Sequence, residues 1–218
     1  MYFVCICVIL SEIVEVIIMN ILLLHGNSFY FQNESFGPNL IQCLEENHFY
    51  YKAPQMPLGE QTDYKTWKPC FDKIKGEINS ETIIIAHSLS GVYLPRFLNE
   101  ENLKPYATIS IASGKKSQID SIIPNKYKNF ISRNKDFEYV RNNVPNRFCI
   151  YSNGDHIFSL NELTEYARSM NSKILFLENK GHFGRSSGVK AIPELNKLVV
   201  QLGKNLSTSK QTQKSKML

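Results

Sequence analysis

The sequence TIIIAHSLSG occupies residues 82–91. Its first five residues form an apolar, largely β-branched run with the length of a buried strand. Ser88 follows at a predicted strand-to-helix junction, where the pattern G-x-S-x-G marks a strained turn that lifts a serine hydroxyl above a sheet. Ala86 and Ser90 stand where that pattern has glycine. An ordinary serine at a helix N-terminus is therefore an open alternative for Ser88 at this point.

Five further apolar runs alternate with amphipathic segments along the chain. The six predicted strands are Asn20–Leu24, His48–Ala53, Thr82–Ala86, Tyr106–Ala112, Arg147–Ser152 and Lys173–Leu177. Most are continuous apolar runs, as expected of parallel strands covered on both faces. Helical spacing occurs in residues 64–78, in residues 159–170 after the capping box of Ser159 and Glu162, and in residues 192–202. This alternation predicts an α/β fold of three layers.

Two other predicted strands end in residues that could act together with Ser88. Asp155 lies in SNGDHIF after the fifth run, and His182 lies in GHFG after the sixth. Sites in such folds gather at the carboxyl ends of the strands, and the chain order Ser, Asp, His is that of α/β-hydrolases. An imidazole can accept the serine proton while a carboxylate fixes its tautomer. We therefore predict Ser88, Asp155 and His182 as catalytic residues, with Glu178 and Asp120 as weaker rivals for the acid.

Such chemistry also needs donors for a developing oxyanion. The backbone N–H of Leu89, directly after Ser88, is one candidate because it lies at a predicted helix N-terminus. The loop HGNS after the first strand, residues 25–28, supplies the second, which we assign to the backbone N–H of Asn27. Backbone donors leave little trace in residue type, so these two assignments rest on position alone.

The net charge of the chain is concentrated at one end. The 218 residues carry 25 Lys and Arg against 20 Asp and Glu, but residues 204–218 contain four lysines and no acid. Residues 1–203 therefore have a net charge of only +1, and we expect no nucleic-acid partner. Five cysteines and five histidines without paired spacing argue against a metal site and favour a reducing compartment, which we take as the cytoplasm.

The two ends differ from the rest of the chain. Residues 1–18 are apolar but contain Glu12 and Glu15 and no Lys or Arg, so they fit neither a secretory signal nor a spanning helix well. We expect the natural start to be Met19 and a domain over residues 19–203. The polar, lysine-rich residues 204–218 predict a disordered tail.

Several motifs together resemble a known group of enzymes. These motifs are HGNS after the first strand, the helix containing Trp67, AHSLSG, SNGDHIF, and GHFG followed by PEL. Together they resemble the motifs of the small serine hydrolases of the retinoblastoma-binding protein nine and YdeN type. The resemblance runs from about residue 19 to residue 203. It implies an α/β-hydrolase fold with about six mostly parallel strands, helices on both faces and no large lid. It also implies Ser88 as nucleophile, Asp155 as acid and His182 as base.

Three functional hypotheses follow from the sequence. The first is an intracellular serine hydrolase that cleaves a small ester, thioester or amide without a cofactor or metal. The second is a non-catalytic module that keeps the fold and binds a protein partner through its pocket or through residues 113–145, a stretch that could form a flap or short helices. The third is a hydrolase anchored to a membrane by residues 1–18. His25 and His87, which flank the predicted site, are interpreted as packing or rim residues rather than catalytic ones. Trp67 is interpreted as a core residue, and His48 and His156 have no partner signal.

Overall fold

The computed structural model describes residues 20–33, 35–115 and 125–217. Its six strands are β1 (Asn20–Leu24), β2 (Tyr50–Lys52), β3 (Thr82–His87), β4 (Ala107–Ile111), β5 (Asn146–Ser152) and β6 (Lys173–Leu177). They form one sheet in the order β2-β1-β3-β4-β5-β6, and all five pairings are parallel. The prediction of about six mostly parallel strands is confirmed.

Six α-helices connect and cover these strands. They are α1 (Gly37–Glu46), α2 (Tyr64–Ile74), α3 (Leu89–Glu100), α4 (Asn134–Asn143), α5 (Leu160–Ser169) and α6 (Pro193–Met217). Buried side chains of α2 to α5 pack on one face of the sheet, and those of α1 and α6 pack on the other. Along β3, Ile84 and Ala86 belong to the first core, whereas Ile83 and Ile85 belong to the second. The three predicted layers are therefore present, with period-two strands between two apolar cores.

Position in the sheet decides how deeply each strand is buried. β3 is buried at all six positions because it lies inside the sheet under both helical layers. The outer strand β2 pairs only with β1, and it is shorter than the predicted His48–Ala53. The other outer strand, β6, has the predicted bounds, although its Phe176 is 44% exposed. The sequence pattern shows which residues are apolar, but it does not show which strands lie at the outside of the sheet with only one neighbouring strand.

Local capping signals explain where two helices begin and where one ends. The predicted capping box at α5 is present, with the Ser159 amide donating to the Glu162 carboxylate at 2.8 Å and the Glu162 amide donating to the Ser159 hydroxyl. α2 begins behind a similar box at Asp63. It ends at Ile74 rather than continuing through residue 78, because a 3-10 helix containing Gly76 follows.

The C-terminal end corrects the expected tail. Residues 204–217 continue α6 as a helix, where a disordered tail was expected. The segment contains no proline or glycine after Gly203, and lysine is a good helix former, so nothing in the sequence stops the helix. Leu206 is buried in the core shared with α1, which anchors the continuation. The polar composition of residues 204–217 therefore did not predict that this segment is helical.

Residues 1–19, including the proposed start at Met19 and the apolar segment before it, lie outside the described residues. Within the described part of the chain, none of the helices combines the length and apolar character needed to cross a membrane. The irregular stretch 113–145 contains a 3-10 helix at Asn125–Phe130 and helix α4, with residues 116–124 outside the description.

Gly91 provides a stability test of the contact between α3 and the loop after β4. A Cβ at Gly91 would lie 1.9 Å from Ser113 Oγ and 2.8 Å from Ser113 Cβ, so Ser113 would have to move. We expect Gly91→Ala to lower the free energy of unfolding by about 1–3 kcal/mol, because overpacking outweighs the gain in helix propensity. Urea denaturation measures this change.

The matched control is Gly76→Ala. A Cβ at Gly76 would meet no atom within 4 Å, so this variant should stay within about 0.5 kcal/mol of the wild type. Equal stability of the two variants would contradict the assigned contact.

Candidate active site

The ends of β3, β5 and β6 bring the three predicted catalytic side chains together. Ser88 follows β3, Asp155 lies three residues after β5, and His182 lies five residues after β6. Because all strands are parallel, these three positions share one edge of the sheet. The chain separations between them are 94 and 27 residues, yet their side chains are in contact.

Ser88 occupies a strained turn between β3 and α3. Its backbone has φ 55° and ψ −120°, a conformation that non-glycine residues rarely adopt. Such a residue typically costs about 1–3 kcal/mol and persists only when its surroundings hold it. The Ser88 amide donates to the Ile111 carbonyl at 2.8 Å, and the Ser88 carbonyl accepts from the Val92 amide at 3.0 Å. The neighbouring elements thus fix the serine at the edge of the sheet.

A continuous chain of hydrogen bonds joins the three side chains. His182 Nε2 lies 2.8 Å from Ser88 Oγ, and His182 Nδ1 lies 2.8 Å from Asp155 Oδ2. The His182 residue is 6% exposed, and the Asp155 side chain is 1% exposed. With Nδ1–H donated to the carboxylate, Nε2 is free to accept the serine proton.

The Asp155 carboxylate is held on both of its oxygens. Oδ1 accepts from the amides of Ile157 at 2.7 Å and Phe158 at 3.0 Å, while Oδ2 faces His182. Burial raises the pKa of Asp155, but the His182 contact and the two backbone donors outweigh it, so that the pKa lies below its usual range. The carboxylate is therefore ionised and fixed in orientation.

His87 contacts the backbone of the loop that carries His182. His87 Nε2 donates to the His182 carbonyl at 2.9 Å. His87 is fully buried, and burial lowers its pKa to about 3, so the ring is a neutral donor. The interpretation of His87 as a packing or rim residue does not include this contact. Its position next to Ser88 in the sequence was the available signal.

Ser90 fits the turn despite replacing the usual glycine. Its side chain is fully buried, and its hydroxyl donates to the carbonyl of His25 at the end of β1. Ala86, the other departure, is buried in the core beneath the turn. The close approach of strand and helix thus accommodates two small side chains, and one of them tethers α3 to the loop after β1.

The backbone of that loop lies directly against Ser88. A Cβ at Gly26 would be 2.8 Å from Ser88 Cβ and 3.0 Å from His87 Nδ1, so only glycine permits this approach. Asn27 follows Gly26, and Leu89 is the first residue of α3, where backbone N–H groups lack partners within the helix. Both expected oxyanion donors are therefore in residues adjacent to the Ser88 turn.

The side chain of Asn27 connects three segments of the chain. Its Nδ2 donates to Tyr127 Oη at 3.0 Å, and its Oδ1 accepts from the Gly59 amide at 2.9 Å and from the Thr62 hydroxyl. Sequence reasoning missed Tyr127 and Thr62. Neither lies in a recognisable motif, and both are distant from Asn27 in sequence.

The candidates that remain from the sequence are two other histidines, Trp67 and the rival acids. The ring of His156 lies 5.7 Å from that of His182 in an edge contact, whereas His48 lies in the turn before β2. Trp67 is fully buried, as expected, and donates to the Pro57 carbonyl at 2.7 Å. Glu178 follows β6, and Asp120 lies outside the described residues. Among the residues that the structure describes, no cluster of three or more His, Cys, Asp or Glu side chains could hold a metal ion.

A comparison with models of protein families shows which family the chain belongs to. The model of the serine hydrolase family matches residues 47–201, which is more than half of the sequence. The chain therefore belongs to the serine hydrolase family and is a hydrolase. No curated protein matches it significantly.

Solved structures show the same fold at low sequence identity. The ydeN gene product of B. subtilis superposes with a TM-score of 0.73 at 19% identity, covering 84% of this chain and 97% of that one. A putative YdeN-like hydrolase from Pectobacterium atrosepticum gives 0.63 at 13% identity, covering 87% and 92%. The meta-cleavage product hydrolase of Pseudomonas fluorescens IP01 gives 0.62 at 12% identity, covering 86% and 91%. The expected α/β-hydrolase fold and serine hydrolase family are confirmed, and the likeness to retinoblastoma-binding protein nine stays a prediction.

Proposed function

We propose that this hydrolase cleaves a small ester, thioester or amide through an acyl-enzyme on Ser88. The observation that carries the proposal is the unbroken hydrogen-bond chain from Ser88 through His182 to Asp155. In this assignment Ser88 is the nucleophile, His182 is the general base and acid, and Asp155 orients His182. The partner is a small acyl compound, and no cofactor takes part in the proposed steps.

The proposed reaction has two halves. Ser88 Oγ attacks the acyl carbon while its proton moves to His182 Nε2, and the carbonyl oxygen becomes an oxyanion. Backbone N–H groups of Asn27 and Leu89 stabilise that charge. His182 then protonates the leaving alcohol, thiol or amine, which departs as the acyl-enzyme forms. A water molecule, deprotonated by His182, attacks the acyl-enzyme, and the carboxylic acid leaves as Ser88 recovers its proton.

Asp155 supports this cycle electrostatically. Its ionised carboxylate keeps the proton of neutral His182 on Nδ1, which leaves Nε2 available to Ser88. When His182 becomes positively charged, the adjacent carboxylate stabilises that charge. The two backbone amides that bind Oδ1 keep the carboxylate in place throughout.

Ala86 and Ser90, which stand near Ser88 in place of the usual glycines, favour the alternative of a non-catalytic binding module. The positive φ of Ser88 and the hydrogen bond of the Ser90 hydroxyl weaken that argument, because the turn forms with alanine and serine at these positions. The family assignment also favours a hydrolase.

We further propose that the protein acts in the cytoplasm. The three cysteines in the described part of the chain, Cys43, Cys70 and Cys149, are free thiols. Unpaired cysteines are usual in a reducing compartment. Cell fractionation with an antibody to the chain would test this, and recovery in a membrane fraction would instead support an anchor in residues 1–18.

Labelling with a fluorophosphonate tests the proposed nucleophile. We expect Ser88 Oγ of the folded protein to give its proton to His182 and displace fluoride from the phosphorus of the probe. The resulting phosphonyl group on Ser88 is identified by mass spectrometry of the peptide. Heat-denatured protein should remain unlabelled, because an unactivated serine is a weak nucleophile. Absence of the adduct from Ser88 in folded protein would contradict the proposal.

A further inference from the structure

His25, interpreted from the sequence as a packing or rim residue, is buried beside the Ser88 turn. It follows β1 directly and is 1% exposed. Its Nε2 lies 2.8 Å from the backbone N–H of Met56, which can only donate. Nε2 therefore carries no hydrogen. Burial lowers the pKa of His25 to about 4, so the ring is neutral near pH 7 and its single N–H is on Nδ1.

The Nδ1–H group faces the backbone next to Ser88. His25 Nδ1 lies 2.5 Å from the Gly26 carbonyl oxygen. That carbonyl belongs to the same planar peptide as the N–H of Asn27, and no described peptide bond is cis. In a trans peptide the C=O and N–H point in opposite directions. A donor that fixes the Gly26 carbonyl therefore also fixes the direction of the Asn27 N–H.

We propose that His25 is a positioning residue that holds the Gly26–Asn27 peptide with its N–H directed toward the oxyanion. This inference rests on the proposed function, since it gives the Asn27 amide a task in the acyl-transfer reaction. The peptide is in the right place because a Cβ at Gly26 would collide with Ser88. Without the imidazole donor, the peptide could rotate and present its carbonyl oxygen to the oxyanion instead.

Other contacts keep His25 itself from moving. The Ser90 hydroxyl donates to the His25 carbonyl, which links the residue to the helix that begins after Ser88. The imidazole also makes edge contacts with the rings of Tyr30 at 4.9 Å and Trp67 at 5.6 Å between centroids. The serine in place of the common glycine at position 90 thus supports the same loop that His25 orients.

The role predicts a particular kinetic signature. The oxyanion exists in the transition state and not in bound substrate, so a misdirected Asn27 N–H lowers kcat and leaves KM nearly unchanged. Loss of one oxyanion donor typically costs about 10²- to 10³-fold in kcat. We expect kcat to fall by about 10²-fold in a variant whose residue 25 no longer donates to the Gly26 carbonyl.

Two variants separate this role from a purely structural one. In His25→Asn the amide nitrogen lies near the position of Nδ1 and can still donate to Gly26, whereas in His25→Gln the amide oxygen reaches the position of Nε2 and can accept from Met56. We expect His25→Asn to keep kcat within about 10-fold of wild type and His25→Gln to lose about 10²-fold, with similar KM. The reverse order would overturn the inference, because it would assign the role to the Met56 contact, and equal kcat values would also overturn it.

A measurement on the unaltered protein remains decisive if the variants do not fold. Nuclear magnetic resonance of the ¹⁵N-labelled chain reports which ring nitrogen of His25 carries hydrogen. We expect the Nδ1–H form near pH 7, and the Nε2–H form would overturn the inference. Fluorophosphonate labelling of the wild type separates failure of the proposed function from failure of the role of His25. An unlabelled Ser88 rejects the proposed function. A labelled Ser88 together with the Nε2–H form of His25, or with a higher kcat in His25→Gln than in His25→Asn, rejects only the role of His25.

Discussion

Ser88→Ala is expected to lower kcat for a short-chain p-nitrophenyl ester by about 10⁶-fold, because it removes the hydroxyl that His182 contacts and that would carry the acyl group. The variant should remain folded, since alanine meets the same backbone strain at φ 55° as serine and is smaller. Initial-rate kinetics give the activity, and circular dichroism gives the folded state. The comparison therefore separates loss of the nucleophile from loss of structure.

A serine at the other end of the same strand provides the control for this variant. Ser80 is exposed and lies two residues before β3, whereas Ser88 lies one residue after it. Ser80→Ala should retain wild-type kcat. A Ser88→Ala protein that keeps more than about one hundredth of the wild-type rate would show that the acyl-enzyme does not form on Ser88.

Asp155→Asn is expected to lower kcat by about 10⁴-fold while the fold is retained. The asparagine amide would donate to His182 Nδ1, which would force the imidazole hydrogen onto Nε2, the nitrogen that must accept from Ser88. The amide oxygen can still accept from the Ile157 and Phe158 backbone amides, so the turn keeps its anchors. Steady-state kinetics near pH 7 would measure the loss.

Glu178 supplies the matched control because it is an acid exposed directly after β6. Glu178→Gln should leave kcat unchanged. If Glu178→Gln reduced kcat more than Asp155→Asn, the assignment of the acid would be wrong, and the rival carboxylate considered from the sequence would take its place.

The site was predictable from the sequence where each residue follows an apolar run. Ser88, Asp155 and His182 come after strands whose continuous apolar character predicts a parallel sheet, although β6 is largely exposed at one side of it. Parallel strands bring their carboxyl ends to one edge, so the order of strands and residues was enough to predict contacts over 94 and 27 residues. No exact strand boundary was needed for this inference.

The supporting contacts were not predictable in the same way. Tyr127 and Thr62 reach Asn27 from segments without periodic patterns, and the hydrogen bond that each makes with the Asn27 side chain depends on loop geometry. For His25 and His87 the sequence indicated packing or rim roles beside the site, without showing what their ring nitrogens contact. Their ring nitrogens show their partners only once the backbone of the neighbouring loops is in place.

The all-parallel sheet also has a consequence for how the protein reaches its active form. No two of the six strands can pair through a tight hairpin, and β1 must pair with β3, which lies some 60 residues further along the chain. Such distant pairings make folding slow compared with helical bundles. Because Ser88, Asp155 and His182 follow three different strands, β3, β5 and β6, recovery of hydrolase activity during refolding reports that all three strands have taken their places in the sheet.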